Sequence, residues 1–246
     1  MSEDRIYGTH PVREALLGKR KPEKILLRQG MDSNTAAQMM DLAKKFDVPV
    51  QFVPQEKLNH LTANKNHQGV VAMLPQVDYV TLDEAVAAAG TKPGFPTIIL
   101  LDGVSDVRNF GAIARTCECA GAGALILPAK GGAAVNQDAI KASAGALLRI
   151  PSCKVPNLRT AVFHLRESGY VVIGTSAGQR QSIYETDFCR PLALVMGAEG
   201  KGISRGIMEL CDELASIPQF GEIGSLNVSA ATAVVLFEAV RQRLKK

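Results

Sequence analysis

The sequence predicts an α/β protein in two parts, a small N-terminal α/β unit and a larger domain built on a parallel sheet. Three observations carry this. Strand-like and helix-like segments alternate along the chain, the pattern of a parallel sheet covered on both faces. Leu192–Met196 is a continuous apolar run, as a strand buried on both sides requires. Gly90-Thr91-Lys92-Pro93-Gly94-Phe95-Pro96 packs two Gly and two Pro into seven positions, a break that no helix or strand crosses.

Taken in order, Lys24–Arg28 reads as a strand, and Ala36 to Phe46 carries apolar residues at helical spacing. Val48–Val53 is rich in β-branched residues and bounded by prolines, so it reads as a strand; Gly69–Leu74 is another. These complete an N-terminal unit over residues 1–75. Residues 76–96 read as a linker, with a short helix at Val86–Ala89 begun by Asp83 and Glu84. Over 97–246, strands are read at Thr97–Leu101, Ala124–Leu127, Tyr170–Ile173, Leu192–Met196 and Leu214–Ile217. Helices are read at Ile113–Ala120 and Leu226–Leu244. The last helix is apolar on nearly every side, so it is either central to the core or covered by a subunit interface.

Composition sets bounds. With 46% hydrophobic residues in 246, the chain can bury at least one full core. The net charge of +4 is uneven: residues 1–75 hold eleven Lys/Arg against eight Asp/Glu. That excess fits a polyanionic partner as readily as a solvated surface. Five cysteines, an odd number, and an acidic start at Met1-Ser2-Glu3-Asp4 without an apolar run behind it point to reduced thiols in a cytoplasmic protein. Cys117-x-Cys119 has no second Cys pair or His at zinc spacing, so no metal is expected. No apolar run is long enough to span a membrane.

Three loops follow the strands that end at Leu101, Met196 and Ile217. Ligands of open parallel sheets collect at these carboxyl ends. In the first loop, Asp106 or Asn109 can cap the following helix. Arg115 lies among Ala112, Ile113, Ala114 and Cys117, so it is expected to need a partner, a phosphate or a carboxylate. The second loop, Gly197-Ala198-Glu199-Gly200-Lys201-Gly202, lets backbone N–H groups approach a ligand closely. Glu199 stands where a dinucleotide fingerprint needs its second glycine, which argues against a nicotinamide dehydrogenase. It can begin a helix, accept from hydroxyl or amino groups, or face a cation. In the third loop Ser225 is the expected N-cap of the last helix, and Asn227 adds a second polar side chain beside it.

Asp106-x-x-Asn109-x-Gly111-x-x-x-Arg115, Gly197-x-Glu199-Gly200-x-Gly202, and Ile217-Pro218 followed by Ser225-Leu226-Asn227-Val228-Ser229 resemble the three motifs of the SpoU (TrmH) family. These are RNA ribose 2′-O-methyltransferases of the SPOUT superfamily. Tyr7-Gly8 through Glu14-Ala15-Leu16 and His67-Gln68-Gly69-Val70-Val71-Ala72 look like the substrate-binding domain of the RlmB branch, which methylates a guanosine in 23S ribosomal RNA. The resemblance implies a C-terminal domain tied in a deep trefoil knot, an N-terminal RNA-binding domain, and a homodimer with active sites near the interface. It implies an S-adenosylmethionine pocket formed by Thr175, Ser176, Ala177, Gly197, Glu199, Gly200, Ile217, Ser225 and Leu226. The catalytic residues it implies are Arg115, which holds the target phosphate and 2′-oxygen, Asn109 and Asn227, which orient ribose and Arg115, Glu199, which fixes that geometry, and Ser225. Val107 stands where the family usually has Pro, a change worth about 0.4–1 kcal/mol and too small to threaten activity. Gln219-Phe220 replaces a more usual Met-containing pair in the pocket wall. The competing readings are a transfer-RNA or antibiotic-resistance methyltransferase of the same family, and a non-catalytic RNA-binding homologue.

Overall fold

The computed structural model describes residues 5–17, 21–74 and 77–245. The acidic start Met1–Asp4 and the boundary read at Pro75-Gln76 lie outside the described residues. The chain forms two compact units, divided between Asp78 and Tyr79.

The first unit is a four-stranded mixed sheet with helices on both faces. Its strands are β1 (Arg5–Tyr7), β2 (Lys24–Arg28), β3 (Val50–Val53) and β4 (Val70–Met73), in the order β1-β4-β2-β3. Its helices are α1 (Thr9–Leu17), α2 (Ser33–Lys45) and α3 (Gln55–Leu61). The Asp32 carboxylate starts α2 by accepting the Thr35 N–H at 2.8 Å. Ala36, Met39 and Ala43, spaced on one face of α2, pack with Ile25, Leu27 and Val70. On the other face Leu58 of α3 packs with Leu26, Val53 and Val71. Because successive strand residues point to opposite faces, β2 must be apolar at every central position, which is why its sequence does not alternate.

The second unit is a six-stranded sheet in which every pairing is parallel. Its strands are β5 (Thr97–Asp102), β6 (Ala124–Pro128), β7 (Ser152–Val155), β8 (Val171–Thr175), β9 (Leu192–Gly197) and β10 (Glu213–Ala215), in the order β10-β8-β9-β5-β6-β7. Six helices go with them among the described residues: α4 (Leu82–Gly90), α5 (Val107–Cys119), α6 (Gln137–Ala142), α7 (Leu158–Glu167), α8 (Arg205–Met208) and α9 (Val228–Arg243). On one face, α4 and α7 bury Ala85, Ala89, Leu158, Ala161, Val162 and Leu165 against Ile98, Leu100, Ile126 and Val195. The alternate residues Ile99, Leu101, Leu194 and Met196 are buried on the other face. There α9 touches β9, and α5 packs against α6 and α9. One face of α9 is in the core; Ala230, Phe237, Arg241 and Leu244 form an exposed one.

Much of the segment read as a linker is part of this second unit. Val80 pairs in parallel with Cys153 at the sheet edge. Thr81 and Glu84 form a capping box that starts α4. Ala85 and Ala89 are fully buried. Gly123 is required beneath them, because a Cβ there would lie 2.2 Å from Ala89 Cα. Small residues that look like spacer in sequence are what lets this helix sit so close. A chain beginning at Tyr79 is therefore expected to fold cooperatively, whereas one beginning at Thr97 exposes the face of β5 and β6 that α4 covers. Losing about 2 kcal/mol or more of apolar burial should lower its melting temperature by at least about 4 °C. Equal melting temperatures would mean that α4 contributes nothing.

The end of α9 is anchored by Glu238, which is 5% exposed. Arg241 donates to both its carboxylate oxygens at 2.7 Å, and Gln242 donates to it at 2.8 Å. Gln242 also donates to the Thr186 carbonyl and accepts from the Phe188 N–H. The Arg241 bonds, with Gln242, hold the Glu238 carboxyl below its ordinary value of 4.5. A lowered carboxylate pKa stabilises the fold above the unfolded-state value, and that stabilisation is lost as pH falls through the folded-state value. Glu238→Gln is thus expected to lower the melting temperature at pH 7 and to narrow the gap to wild type as pH drops below 4.5. A gap independent of pH would refute the assignment.

Candidate active site

The sheet register brings the three loops together. Asp102 at the end of β5 lies beside Gly197 at the end of β9, and Thr175 at the end of β8 lies beside Ala215 of β10. Four adjacent strands therefore release their chains at one edge, the position where such sheets hold ligands. Asp102 also accepts the Ser204 N–H at 2.7 Å, tying the first loop to the far end of the second.

Each loop is shaped by a local cause. Asp106 caps α5, accepting from the Arg108 and Asn109 N–H groups at 2.9 and 2.8 Å. The second loop closes on itself: Ala198 and Gly202 exchange backbone hydrogen bonds at 3.1 and 2.8 Å. Gly200 and Gly202 have φ of +76° and +67°, in the left-handed region where glycine carries no Cβ penalty. At Gly197 a Cβ would lie 2.1 Å from the Gly202 carbonyl carbon. In the third loop Asn227, not Ser225, is the N-cap of α9; its Oδ1 accepts from the Ser229 N–H at 2.9 Å and the Ser229 hydroxyl at 2.6 Å. The expectation for Ser225 is corrected for a simple reason. The apolar run begins at Leu226, but the helix begins two residues later, and Leu226 is 42% exposed.

Asn109, Glu199 and Asn227 meet, one from each loop. Asn227 Nδ2 donates to Asn109 Oδ1 at 2.9 Å, and Asn109 Nδ2 donates to Glu199 Oε2 at 3.1 Å. Asn227 Nδ2 also reaches Glu199 Oε2 at 3.4 Å. The Ser229 N–H fixes the Asn227 amide with its oxygen toward the helix, so its nitrogen must face the other two loops. This leaves Glu199 Oε1 with no partner among the described residues.

Beside this cluster is a cavity of about 320 Å³. All nine residues named for the cofactor line it: Thr175 to Ala177, Gly197, Glu199, Gly200, Ile217, Ser225 and Leu226. Gln219, expected in the pocket wall, lines it, whereas Phe220 beside it is 99% exposed and does not. Met196, Lys201, Gly202 and Gly224 line it without having been named for the cofactor, as do Val228 and Ala231 from the first turns of α9. For Lys201, Gly202 and Gly224 the signal was their place in the same loops. The Ser176 and Ser225 hydroxyls have no hydrogen-bond partner among the described residues, whereas the Thr175 hydroxyl donates to the Val195 carbonyl at 3.1 Å.

Arg115 is not part of the cluster in one chain. It lies on α5 six residues beyond Asn109, roughly 9 Å along the helix axis. It is exposed, with no hydrogen bond or ion pair to the described residues. The expectation of a buried arginine is therefore corrected. Phe110, Ile113, Ala114 and Cys117 form the buried face of α5, and position 115 turns away from it. Among the described residues there is no group of three His, Cys, Asp or Glu able to hold a metal, and no helix is long and apolar enough to cross a membrane.

Comparison with known proteins decides the family. The SpoU rRNA Methylase family matches residues 96–237, and the family described as RNA 2′-O ribose methyltransferase substrate binding matches residues 5–80. The chain belongs to the SpoU family. YacO of Bacillus subtilis (strain 168), named as a TrmH-family tRNA/rRNA methyltransferase, is 36% identical over 240 residues, 98% of this chain and 96% of its own. A Staphylococcus haemolyticus protein of the same description is 35% identical over 238 residues, 97% of this chain and 95% of its own. Among solved structures, an rRNA methyltransferase from Sinorhizobium meliloti with AdoMet bound aligns with a TM-score of 0.61 at 26% identity, over 97% of this chain and 87% of that one. The SpoU methyltransferase AviRb from Streptomyces viridochromogenes shares the fold, with a TM-score of 0.61 at 24% identity, over 98% of this chain and 91% of that one. S-adenosylmethionine is the cofactor of the SpoU family. The cavity fits such a ligand: it has a carboxylate for a sulfonium, unpartnered hydroxyls for polar ends, and a glycine strand end that admits close backbone approach.

Proposed function

We propose that this SpoU protein methylates the ribose 2′-hydroxyl of a guanosine in 23S ribosomal RNA, with S-adenosylmethionine as methyl donor. The observation that carries the proposal is the Asn109–Asn227–Glu199 cluster, which joins three loops at the mouth of the cavity. A side-chain network that spans the three motifs and serves no packing purpose is best explained by a reaction. S-adenosylmethionine would supply an activated methyl group on a sulfonium, held by the backbone of 197–202 and of 224–226.

The protein's own task is placement. The 2′-oxygen must lie in line with the methyl carbon and sulfur, and fixing that geometry removes much of the barrier. With the donor bound, an oxygen–carbon bond would form as the carbon–sulfur bond broke, and the 2′-proton would have to leave. Glu199, pinned by two amide donors, places a negative charge beside the cavity. Asn109 and Asn227 hold that carboxylate and orient the ribose, and Ser225 contacts cofactor or nucleotide. Arg115 grips the phosphate next to the target ribose and stabilises charge on the 2′-oxygen. It is not the base: with a pKa above about 12, deprotonating it near pH 7 would cost on the order of 7 kcal/mol. The adjacent phosphate or a water takes the proton. The exposed faces of α5 and α9 are where a second copy would complete a dimer, and we propose the knotted chain path for the C-terminal domain.

The test is to map 2′-O-methyl groups in ribosomal and transfer RNA incubated with the purified protein and labelled S-adenosylmethionine. One new methyl on a guanosine of large-subunit RNA is expected. The tRNA/rRNA description shared by the curated relatives favours a second reading, and methylation of transfer RNA alone would replace the first by it.

A further inference from the structure

The N-terminal unit holds a second built site. A cavity of about 460 Å³ opens between the start of α3 and the segment 64–69 that leads into β4. Side-chain amides dominate its lining, those of Gln55, Asn59, Asn64, Asn66 and Gln68, together with Arg28 and Lys65; no Asp or Glu lines it.

Four of these amides are held in one orientation by a donor inside the protein. The Thr9 N–H donates to Gln68 Oε1 at 2.9 Å, and the Gln68 N–H donates to Asn66 Oδ1 at 3.3 Å. Arg28 Nη1 donates to Gln55 Oε1 at 3.3 Å. Asn59 is fixed through His67, which is 7% exposed. The Gly69 N–H donates to His67 Nδ1 at 3.0 Å, so that nitrogen carries no proton and the neutral ring is protonated at Nε2. Nε2 then donates to Asn59 Oδ1 at 2.9 Å. In all four amides the acceptor is already used, and none of the NH2 groups has an acceptor among the described residues. Asn64, whose amide has no partner among the described residues, can turn its NH2 inward as well. The side chains of the cavity therefore offer donors: two amide N–H bonds from each fixed amide, beside a guanidinium and an ammonium. Its rim is also strained: Ala63 and Gln68 have φ of +50° and +51°, in the left-handed region that side chains other than those of Asn and Asp rarely adopt. Strain of this kind persists where the surroundings over-determine it, often at ligand sites.

We propose that this cavity binds a phosphodiester of the substrate RNA. A donor-rich lining with two cations is complementary to a group that is acceptor-only and anionic, and it rejects the donor edges of bases. The proposal rests on the reading of this chain as an RNA enzyme; it assigns the contact that fixes the RNA on the N-terminal unit while the transfer chemistry occurs elsewhere.

The test exploits the fixed orientations. Asn59→Asp and Gln68→Glu keep the oxygens that accept from His67 and Thr9, but replace the NH2 groups with anionic oxygens. The full-length double variant, with Gln51→Glu on exposed β3 as a charge control, is titrated at pH 8 with deproteinised ribosomal RNA. The double variant is expected to bind at least about tenfold more weakly and with a log–log salt slope shallower by about 0.7–0.9 for each phosphate that it no longer holds. The control should weaken binding less than about threefold. In methyl transfer, the KM for RNA should rise while kcat at saturating RNA and the Kd for S-adenosylmethionine stay unchanged. A double variant that melts like wild type yet binds RNA no worse than Gln51→Glu overturns the proposal and leaves the methylation reading intact. Failure of wild type to methylate any RNA, with the affinity loss still present, would instead sink the enzymatic reading and leave the RNA site standing.

Discussion

Arg115→Ala is expected to slow methyl transfer by about 10²–10³-fold while leaving S-adenosylmethionine affinity unchanged. The separation of the two effects follows from position. Arg115 does not line the cavity and has no hydrogen bond or ion pair to the described residues, so its removal disturbs neither the cofactor wall nor the fold. Stability should change by no more than about 0.5 kcal/mol, as at other exposed sites without partners. An exposed arginine is inexpensive for folding and well placed for a ligand that arrives from solvent. Arg115→Lys discriminates the role further. Lysine keeps the charge but not the planar fork that grips two phosphate oxygens, so recovery should be partial. Single-turnover transfer and calorimetric cofactor titration are the two measurements. Near-normal transfer by Arg115→Ala would remove this residue from the mechanism.

The same residue shows how far the sequence can be read. The apolar chain neighbours of Arg115 suggest burial. Neighbours in sequence are not neighbours on a helix face, and the 3.6-residue period carries position 115 away from Phe110, Ile113, Ala114 and Cys117. The loops are legible for a different reason. Glycine clusters and small polar residues after apolar strands are local signals, and the parallel sheet turns three such signals into one place. What local signals do not supply is register. Only the pairing of Asp102 with Gly197 and of Thr175 with Ala215 sets the loops side by side. Likewise the cap of α9 falls two residues later than expected, because apolar character starts before helical geometry does. The helix α4 resembles spacer because alanine and glycine give no hydrophobic pattern, although small size is what its packing on Gly123 requires. The short strands β1 and β7 and the helices α1, α3, α6, α7 and α8 escape the sequence reading altogether. All span ten residues or fewer, too few for periodicity to separate from chance.

Gly197→Ala is expected to weaken S-adenosylmethionine binding by about 10–100-fold and to abolish transfer at ordinary cofactor concentrations. An added Cβ would lie 2.1 Å from the Gly202 carbonyl carbon and 2.2 Å from the Ile203 nitrogen. Both are backbone atoms, so no side chain can swing aside. Something must move by about an ångström or more to restore an ordinary contact distance, and β9 is poorly able to do so. It is paired with β5 along its whole length, through Gly197, and with β8 from Leu192 to Val195. Among the described residues the loop is tied by the mutual bonds of Ala198 and Gly202, by the link from Asp102 to Ser204 and by the Asn109 and Asn227 amides on Glu199, weaker restraints than a paired strand, so the loop must yield. Its displacement takes Glu199 away from Asn109 and Asn227, which breaks the cluster and reshapes the cavity at once. Overpacking of this kind costs about 1–3 kcal/mol, and every ~1.4 kcal/mol borne by the binding step is tenfold in affinity. Gly200→Ala separates crowding from backbone strain. Gly200 has open space around its Cβ position but a φ of +76°, so alanine there meets only the left-handed penalty of roughly 1–2 kcal/mol. If crowding governs the site, Gly197→Ala must be the more damaging of the two for cofactor binding. If Gly197→Ala binds the cofactor as tightly as wild type, the loop tolerates the Cβ and the closed geometry at Gly202 is not what shapes the pocket.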